Sequence, residues 1–206
     1  MSRVTLSPEA FVLGSLPLPP ARVLEVGAGA GELAGLLAER GYNILAIDPA
    51  SSTLAVEPVA LRDLHEPRAS FDAAVAVLSL HHVEPLADSC RHLASLLRAG
   101  GQLVIDEFDL DRFNVAAASW WLSQAPAIDH SHHLEAEAIV AEMHEHLHAL
   151  PRILAALEPW FEFSAVERGP YLYRWKLPAG ARADEERAIA GGRIPATGAR
   201  VVGRRC

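Results

Sequence analysis

The chain has 206 residues, half of them hydrophobic, and a formal net charge of −8. That suffices for one α/β domain with a sizeable core and excludes a disordered chain. A negative total disfavours a nucleic-acid backbone as the main partner, because such binding needs a basic face. Cys90 and Cys206 are the only cysteines, which excludes a disulfide scaffold and a cysteine zinc site and fits a reducing cytoplasm. The longest apolar runs are short, so no membrane span is expected. Met1-Ser2-Arg3-Val4 shows no signal-peptide pattern.

In chain order, Ser7-Pro8-Glu9 reads as a helix start, with serine as cap and proline in the first turn. Residues 22–26 form an apolar run that reads as a buried strand. Gly27, Gly29 and Gly31 follow at alternate positions, and Leu33, Leu36 and Leu37 then recur at helical spacing. A strand, a tight glycine turn and a helix in this order bind nucleotide-like ligands, since the helix aims free N–H groups at the turn. The dinucleotide fingerprint is G-x-G-x-x-G, and Glu32 occupies its third glycine position. Residues 42–48 read as a second strand ending in Asp48, 21 residues after Gly27. An acid there suits the ribose hydroxyls of a nucleotide; capping of the next segment, which opens at Pro49, is the other reading. A short helix is expected over 51–57 and a brief third strand over 59–61, before Arg62-Asp63-Leu64.

Residues 71–78 are apolar almost throughout and predict a central parallel strand, which ends at Ser79-Leu80-His81-His82-Val83. Pro85 opens a helix striped by Leu86, Cys90, Leu93 and Leu97, so Cys90 is expected as a core thiol. A turn at Ala99-Gly100-Gly101 leads to a fifth strand over 102–105. A long excursion, 106–159, then carries an acidic run, Trp120-Trp121 and one helix striped from Ala136 to Leu150. His144-Glu145-His146-Leu147-His148 satisfies H-E-x-x-H. These histidines fall on different sides of the stripe and no further ligand spacing follows, so no metal is expected. Residues 160–167 alternate like a strand, Gly169-Pro170 interrupts, and 171–175 resumes. A polar helix over 184–190 and a last strand from Ala199 complete the chain. No repeat or linker divides it, so 1–206 reads as a single domain.

Glu25-x-Gly27-x-Gly29-x-Gly31 resembles motif I of the class I S-adenosylmethionine-dependent methyltransferases. Phe71-Asp72 with its apolar run to Leu80-His81-His82 is similar to that family's fourth-strand segment. Leu96-Leu97-Arg98-Ala99-Gly100-Gly101 resembles its turn before strand five, with Ala99 in place of proline. The resemblance spans roughly 22–105. It implies a doubly wound, mostly parallel seven-stranded sheet with one antiparallel strand, and a helical insertion or cover over 106–159, between strands five and six. It implies S-adenosylmethionine as cofactor, held by Glu25, Gly27, Ala28, Gly29, Gly31, Asp48, Pro49, Ser79 and Leu80. Asp63 and Leu64 fit the position that takes the adenine edge, although a surface aspartate beside Arg62 and Arg68 is an equal reading. The implied reaction is in-line methyl transfer to a small organic molecule, with His81, His82, His132, His133 and Glu107 as candidate bases. The signature of methylases that modify base amines is lacking. A nicotinamide-dependent oxidoreductase and a non-catalytic binding domain of the same fold are the alternatives.

Overall fold

The apolar runs beside the glycine turns become parallel strands of one sheet. The computed structural model describes residues 6–124 and 135–206. Strands β1 (Arg22–Val26), β2 (Asn43–Ile47), β3 (Phe71–Val77), β4 (Leu97–Phe108), β5 (Phe161–Phe163) and β7 (Gly198–Arg205) stand in the order β2-β1-β3-β4-β7-β5. The short β6 (Glu167–Gly169) pairs with β7 as well. The β1–β2, β1–β3 and β3–β4 pairings are parallel. Every pairing of β7 is antiparallel, so β7 is the reversed strand of a seven-stranded mixed sheet.

Alternation along the strands divides the core in two. Val23, Val75 and Val104 face helices α1 (Pro8–Ser15) and α2 (Glu32–Glu39), meeting Val12 and Leu37. Leu24, Ala74 and Ile105 face the other way, against Leu93 of α3 (Leu86–Leu96) and Ile153 and Leu157 of α6 (Leu150–Leu157). Each such leucine or isoleucine contributes about 1.5–3 kcal/mol by leaving water. A second cluster lies beyond the end of β4. There Phe108, Phe113, Tyr171 and Leu172 pack with α4 (Val115–Gln124), α5 (Ala136–His146) and α7 (Ala181–Ala190).

Several expectations give way to local chemistry. No strand forms over 59–61, and 51–57 is not helical. Glu57 makes a single bridge to Ile47, and a 3-10 turn spans Leu61–Asp63. Pro58 has no N–H to give to a ladder at that point. The helix expected over 136–150 is two helices: Leu147 takes φ −119 and ψ 148, and α6 restarts with Pro151 in its first turn. Residues 171–175 do not form a strand, because a 3-10 turn over Leu172–Arg174 follows Pro170. The fifth expected strand begins at Leu97, directly after α3, rather than at Gln102. Among the described residues no helix is long and apolar enough to cross a membrane.

Candidate functional site

The site begins at the turn that follows β1. Gly27, Gly29 and Gly31 have φ of 72, 55 and 84, a region that side chains rarely adopt. At Gly27 a Cβ would also lie 2.3 Å from the Ser79 Cβ, so the turn and the end of β3 meet only over a glycine. The N–H groups of Gly27 and Ala28 donate to the Ile47 carbonyl at 2.8 and 3.0 Å, which joins the turn to the end of β2. Asp48 comes next. Its Oδ2 accepts the Gly29 N–H at 2.9 Å and its Oδ1 the Ala50 N–H at 2.8 Å. One carboxylate thus fixes both the glycine turn and the Pro49 corner, and each oxygen keeps a lone pair.

A cleft of about 400 Å³ opens over these strand ends. Gly27, Asp48 and Pro49 form one side, Ser79 and His82 another, and Val59, Ala60 and Leu61 an apolar third. β2 and β3 leave β1 on opposite sides, and ligands of open α/β sheets bind at such a reversal. Ala28 and Gly31 belong to the turn. Leu64 lies in the core. Asp63 does not reach the cleft: its side chain is 59 % exposed, pairs with Arg62 at 3.3 Å, and borders a different groove with Arg68, Arg91 and Arg205.

Glu25 precedes the turn and is 4 % exposed. Burial raises its pKa from 4.5 to about 7, with the Ala34 backbone N–H pulling the other way. Its Oε2 is buried without a hydrogen-bond partner. That oxygen has given up water without a hydrogen bond in return.

Glu107 is fully buried near the end of β4. Its Oε1 accepts the Ser79 and Leu80 N–H groups at 2.8 and 2.6 Å. Its Oε2 accepts the Phe108 N–H at 3.1 Å and lies 2.6 Å from His81 Nδ1. These bonds hold the 3-10 turn over Leu80–His82, which forms one wall of the cleft. His81 is buried, and its ring centroid lies 4.3 Å from that of His82. His82 is exposed to the cleft, and its pKa is lowered by burial first and by neighbouring His81 and His148, with Glu107 opposing. His132 and His133 lie outside the described residues.

Two features escaped the sequence. His148 lies beyond the end of α5, so the two histidines of H-E-x-x-H do not share a helix. Its N–H donates to the His81 carbonyl at 2.9 Å, and its Nε2 lies 3.0 Å from Glu84. Asp106 is the other: its Oδ2 accepts from Arg174 and from Arg200, each at 3.0 Å. Those partners are distant in sequence, and no local spacing announces them. Among the described residues no group of three or more His, Cys, Asp or Glu side chains is arranged to hold a metal.

A family model described as a methyltransferase domain matches residues 8–149. The ubiquinone biosynthesis O-methyltransferase of Rhodopseudomonas palustris (strain HaA2) is 24 % identical over 178 residues, covering 77 % of this chain and 66 % of that protein. Other curated methyltransferases that match are covered over 40 % to 57 % of their length, so the chain spans only part of these relatives. Among solved structures, an S-adenosylmethionine-dependent methyltransferase from Mesorhizobium loti superposes with a TM-score of 0.61 at 19 % identity, over 94 % of this chain and 95 % of that one. The 1,6-didemethyltoxoflavin-N1-methyltransferase of Burkholderia thailandensis, solved with 1,6-didemethyltoxoflavin and S-adenosylhomocysteine, superposes with a TM-score of 0.54 at 18 % identity, over 94 % and 73 %. Likeness at that identity shows the fold, and it leaves the nicotinamide reading without support. The family match extends over more than half of the chain, from α1 through β4 to the end of α5, and so the chain belongs to the methyltransferase domain family.

Proposed function

We propose that the chain is an S-adenosylmethionine-dependent methyltransferase acting on a small organic molecule. The observation that carries this is the buried, unpartnered Glu25 Oε2 beside a glycine turn and Asp48 at the strand ends. The residues fit the cofactor. Glu25 suits the ammonium of its amino-acid moiety. The free lone pairs of Asp48 suit the ribose diol, and the apolar wall at Val59, Ala60 and Leu61 suits a purine. Bound there, the cofactor supplies a sulfonium methyl ready for in-line displacement.

The protein's part is position and a proton acceptor. Glu107 orients His81 and the Ser79–Leu80 backbone; its oxygens are committed to those bonds, which favours a positioning role. His82 lines the cleft and makes no side-chain hydrogen bond among the described residues. Its lowered pKa keeps the ring neutral near pH 7. We assign His82 as the base that takes the acceptor's proton. Residues 1–206 are read as one cytoplasmic domain in which α4 and α5, within 106–159, cover the acceptor end of the cleft, while α6 packs on the sheet beside α3. The acidic net charge supports a small acceptor over a nucleic acid.

Calorimetric titration with S-adenosylhomocysteine and with NAD tests the proposal. The former is expected to bind one per chain, and Asp48→Ala is expected to weaken it. Binding of NAD in preference to S-adenosylhomocysteine would refute the proposal.

A further inference from the structure

The groove that Asp63 borders has no part in the site described above, and its charge runs against that of the chain. About 520 Å³ of open space lies between the turn over Leu61–Asp63, helix α3 and the end of β7. Arg62, Arg68, Arg91 and Arg205 line it, and Asp63 and Asp88 are the carboxylates among its described lining side chains. Four positive charges thus face two negative ones, in a chain whose formal net charge is −8. Like charges gathered round one groove repel each other, and an anion held between them relieves that repulsion.

The four arginines differ in how they are occupied. Arg62 pairs with Asp63 at 3.3 Å and Arg91 with Asp88 at 2.7 Å, but each of these side chains is more than half exposed. Ion pairs in contact with water are worth only about 0–1 kcal/mol, so both guanidinium groups are free to turn to a better acceptor. Arg68 is exposed, and its side chain has no ion pair or hydrogen bond among the described residues. Arg205 is held by main-chain oxygens: Nε donates to Ala94 at 2.9 Å, and Nη1 to Trp160 at 3.2 Å and Cys206 at 2.9 Å. Its guanidinium carbon lies 5.6 Å from the centre of the Trp160 ring.

The floor beneath these tips is fixed. The His92 ring of α3 lies 2.9 Å from the Leu64 carbonyl, which ties the helix to the turn, and Trp160 packs against the core. A guanidinium meets phosphate through two parallel N–H donors, and a phosphate monoester carries about −1.5 to −2 charges at pH 7. Four arginines less two aspartates leave a side-chain balance of +2, which such a dianion matches.

We propose that this groove is a second ligand site, separate from the cofactor cleft, and that it takes a phosphate dianion among Arg62, Arg68, Arg91 and Arg205. Free phosphate and the phosphate of an organic monoester share this chemistry, and the test separates them. The site does not depend on the methyltransferase reading.

The probes are inorganic phosphate, phenyl phosphate and benzenesulfonate, which shares the ring of phenyl phosphate but carries a single charge. Each is titrated calorimetrically into the protein with and without saturating S-adenosylhomocysteine, at an ionic strength held constant with sodium chloride. At least one of the two phosphates is expected to bind one per chain, at least tenfold more tightly than benzenesulfonate. Arg68→Gln, an exposed change that breaks no ion pair or hydrogen bond among the described residues, is expected to weaken it roughly tenfold. Asp88→Asn, which releases Arg91, is expected to tighten it severalfold. Both variants are expected to keep the S-adenosylhomocysteine affinity within about twofold of wild type. Phenyl phosphate favoured tenfold or more over inorganic phosphate would identify an ester as the occupant, and a smaller difference free phosphate; the site stands in either case. Absence of saturable binding by both phosphates would overturn the proposal, and so would an Arg68→Gln/Arg91→Gln variant that binds them as the wild type does. Binding seen only without S-adenosylhomocysteine would overturn it as well, because the phosphate would then occupy the cofactor cleft.

Discussion

Replacing Glu25 by glutamine separates what the fold loses at this residue from what the ligand gains. In the unfolded chain the carboxyl ionises near 4.5; in the folded protein burial holds it to about 7. Between those values the unfolded chain releases a proton that the native state keeps. The stability present below the lower value is therefore lost as pH rises through the upper one. A raise of this size is worth roughly 3 kcal/mol at full effect, and about 2 kcal/mol of it falls between about pH 5 and about pH 8. Glutamine does not titrate, so the variant lacks this slope. Urea denaturation of both ligand-free proteins at those two pH values checks it. The variant's stability relative to wild type is expected to rise by about 2 kcal/mol from the acid to the alkaline condition. Binding is expected to move the other way. A cationic ammonium needs the ionised carboxylate, so S-adenosylhomocysteine affinity in the wild type rises with pH up to about 7 and then levels. In the variant it is roughly tenfold or more weaker and flat with pH. A variant whose relative stability does not change with pH, and whose affinity matches the wild type, would refute the reasoning at both ends.

The other expectations are shorter. Asp48→Ala removes two backbone hydrogen bonds and the diol's acceptor, and S-adenosylhomocysteine affinity is expected to fall roughly ten- to hundredfold in a folded protein, read by calorimetry. Gly27→Ala places a methyl 2.3 Å from the Ser79 Cβ at a φ of 72, and denaturation is expected to show a loss of about 2–3 kcal/mol with ligand binding abolished. Glu107→Gln leaves one oxygen where several donors converge, so stability should drop by about 2–4 kcal/mol with the cleft wall loosened, seen as weaker ligand binding as well as lower kcat. His82→Gln is expected to lower kcat by roughly a hundredfold or more at unchanged ligand affinity. In the wild type, the rise of activity with pH should have its midpoint below the ordinary histidine value of 6.5, and that limb should vanish in the variant.

The parts of the fold that were legible are those in which neighbouring residues carry the signal. The glycine turn needs positive φ at three alternate positions, and only glycine supplies that freely, so β1, the turn and α2 can be read from a few adjacent residues. Runs such as that of β3 are apolar because both faces are covered, and the sequence records this directly. Where one residue overrules a pattern, the reading fails. Pro58 removes the expected third strand, and the break at Leu147 divides a stripe that looked continuous. Asp63 had the right residue type near the right place, yet the missing strand leaves it on a 3-10 turn facing solvent. The candidate site divides in the same way. Asp48 could be placed from its distance to the turn, whereas the partners of Asp106 come from 68 and 94 residues away and have no local trace.

The end of β4 explains why the two halves of the site are built differently. Asp106 and Glu107 are adjacent, so the pleat sends their side chains to opposite faces of the sheet. Glu107 faces the layer of α3 and α6 and is consumed in holding the Ser79–His81 backbone, which shapes the cofactor side. Asp106 faces the layer of α1 and, with β7 running beside it, gathers Arg174 and Arg200. A parallel neighbour at this edge would require a crossover connection. The antiparallel β7 returns instead, setting Arg200 directly opposite Asp106 in the register. The reversed strand therefore serves more than closure of the sheet, because it delivers one of the two guanidinium groups that neutralise the buried Asp106. Conversion of Asp106 to asparagine should accordingly lower stability and leave cofactor affinity nearly unchanged, whereas Glu107→Gln should lower both. If the two variants behaved alike in calorimetry with S-adenosylhomocysteine, the division of labour between the faces would fail.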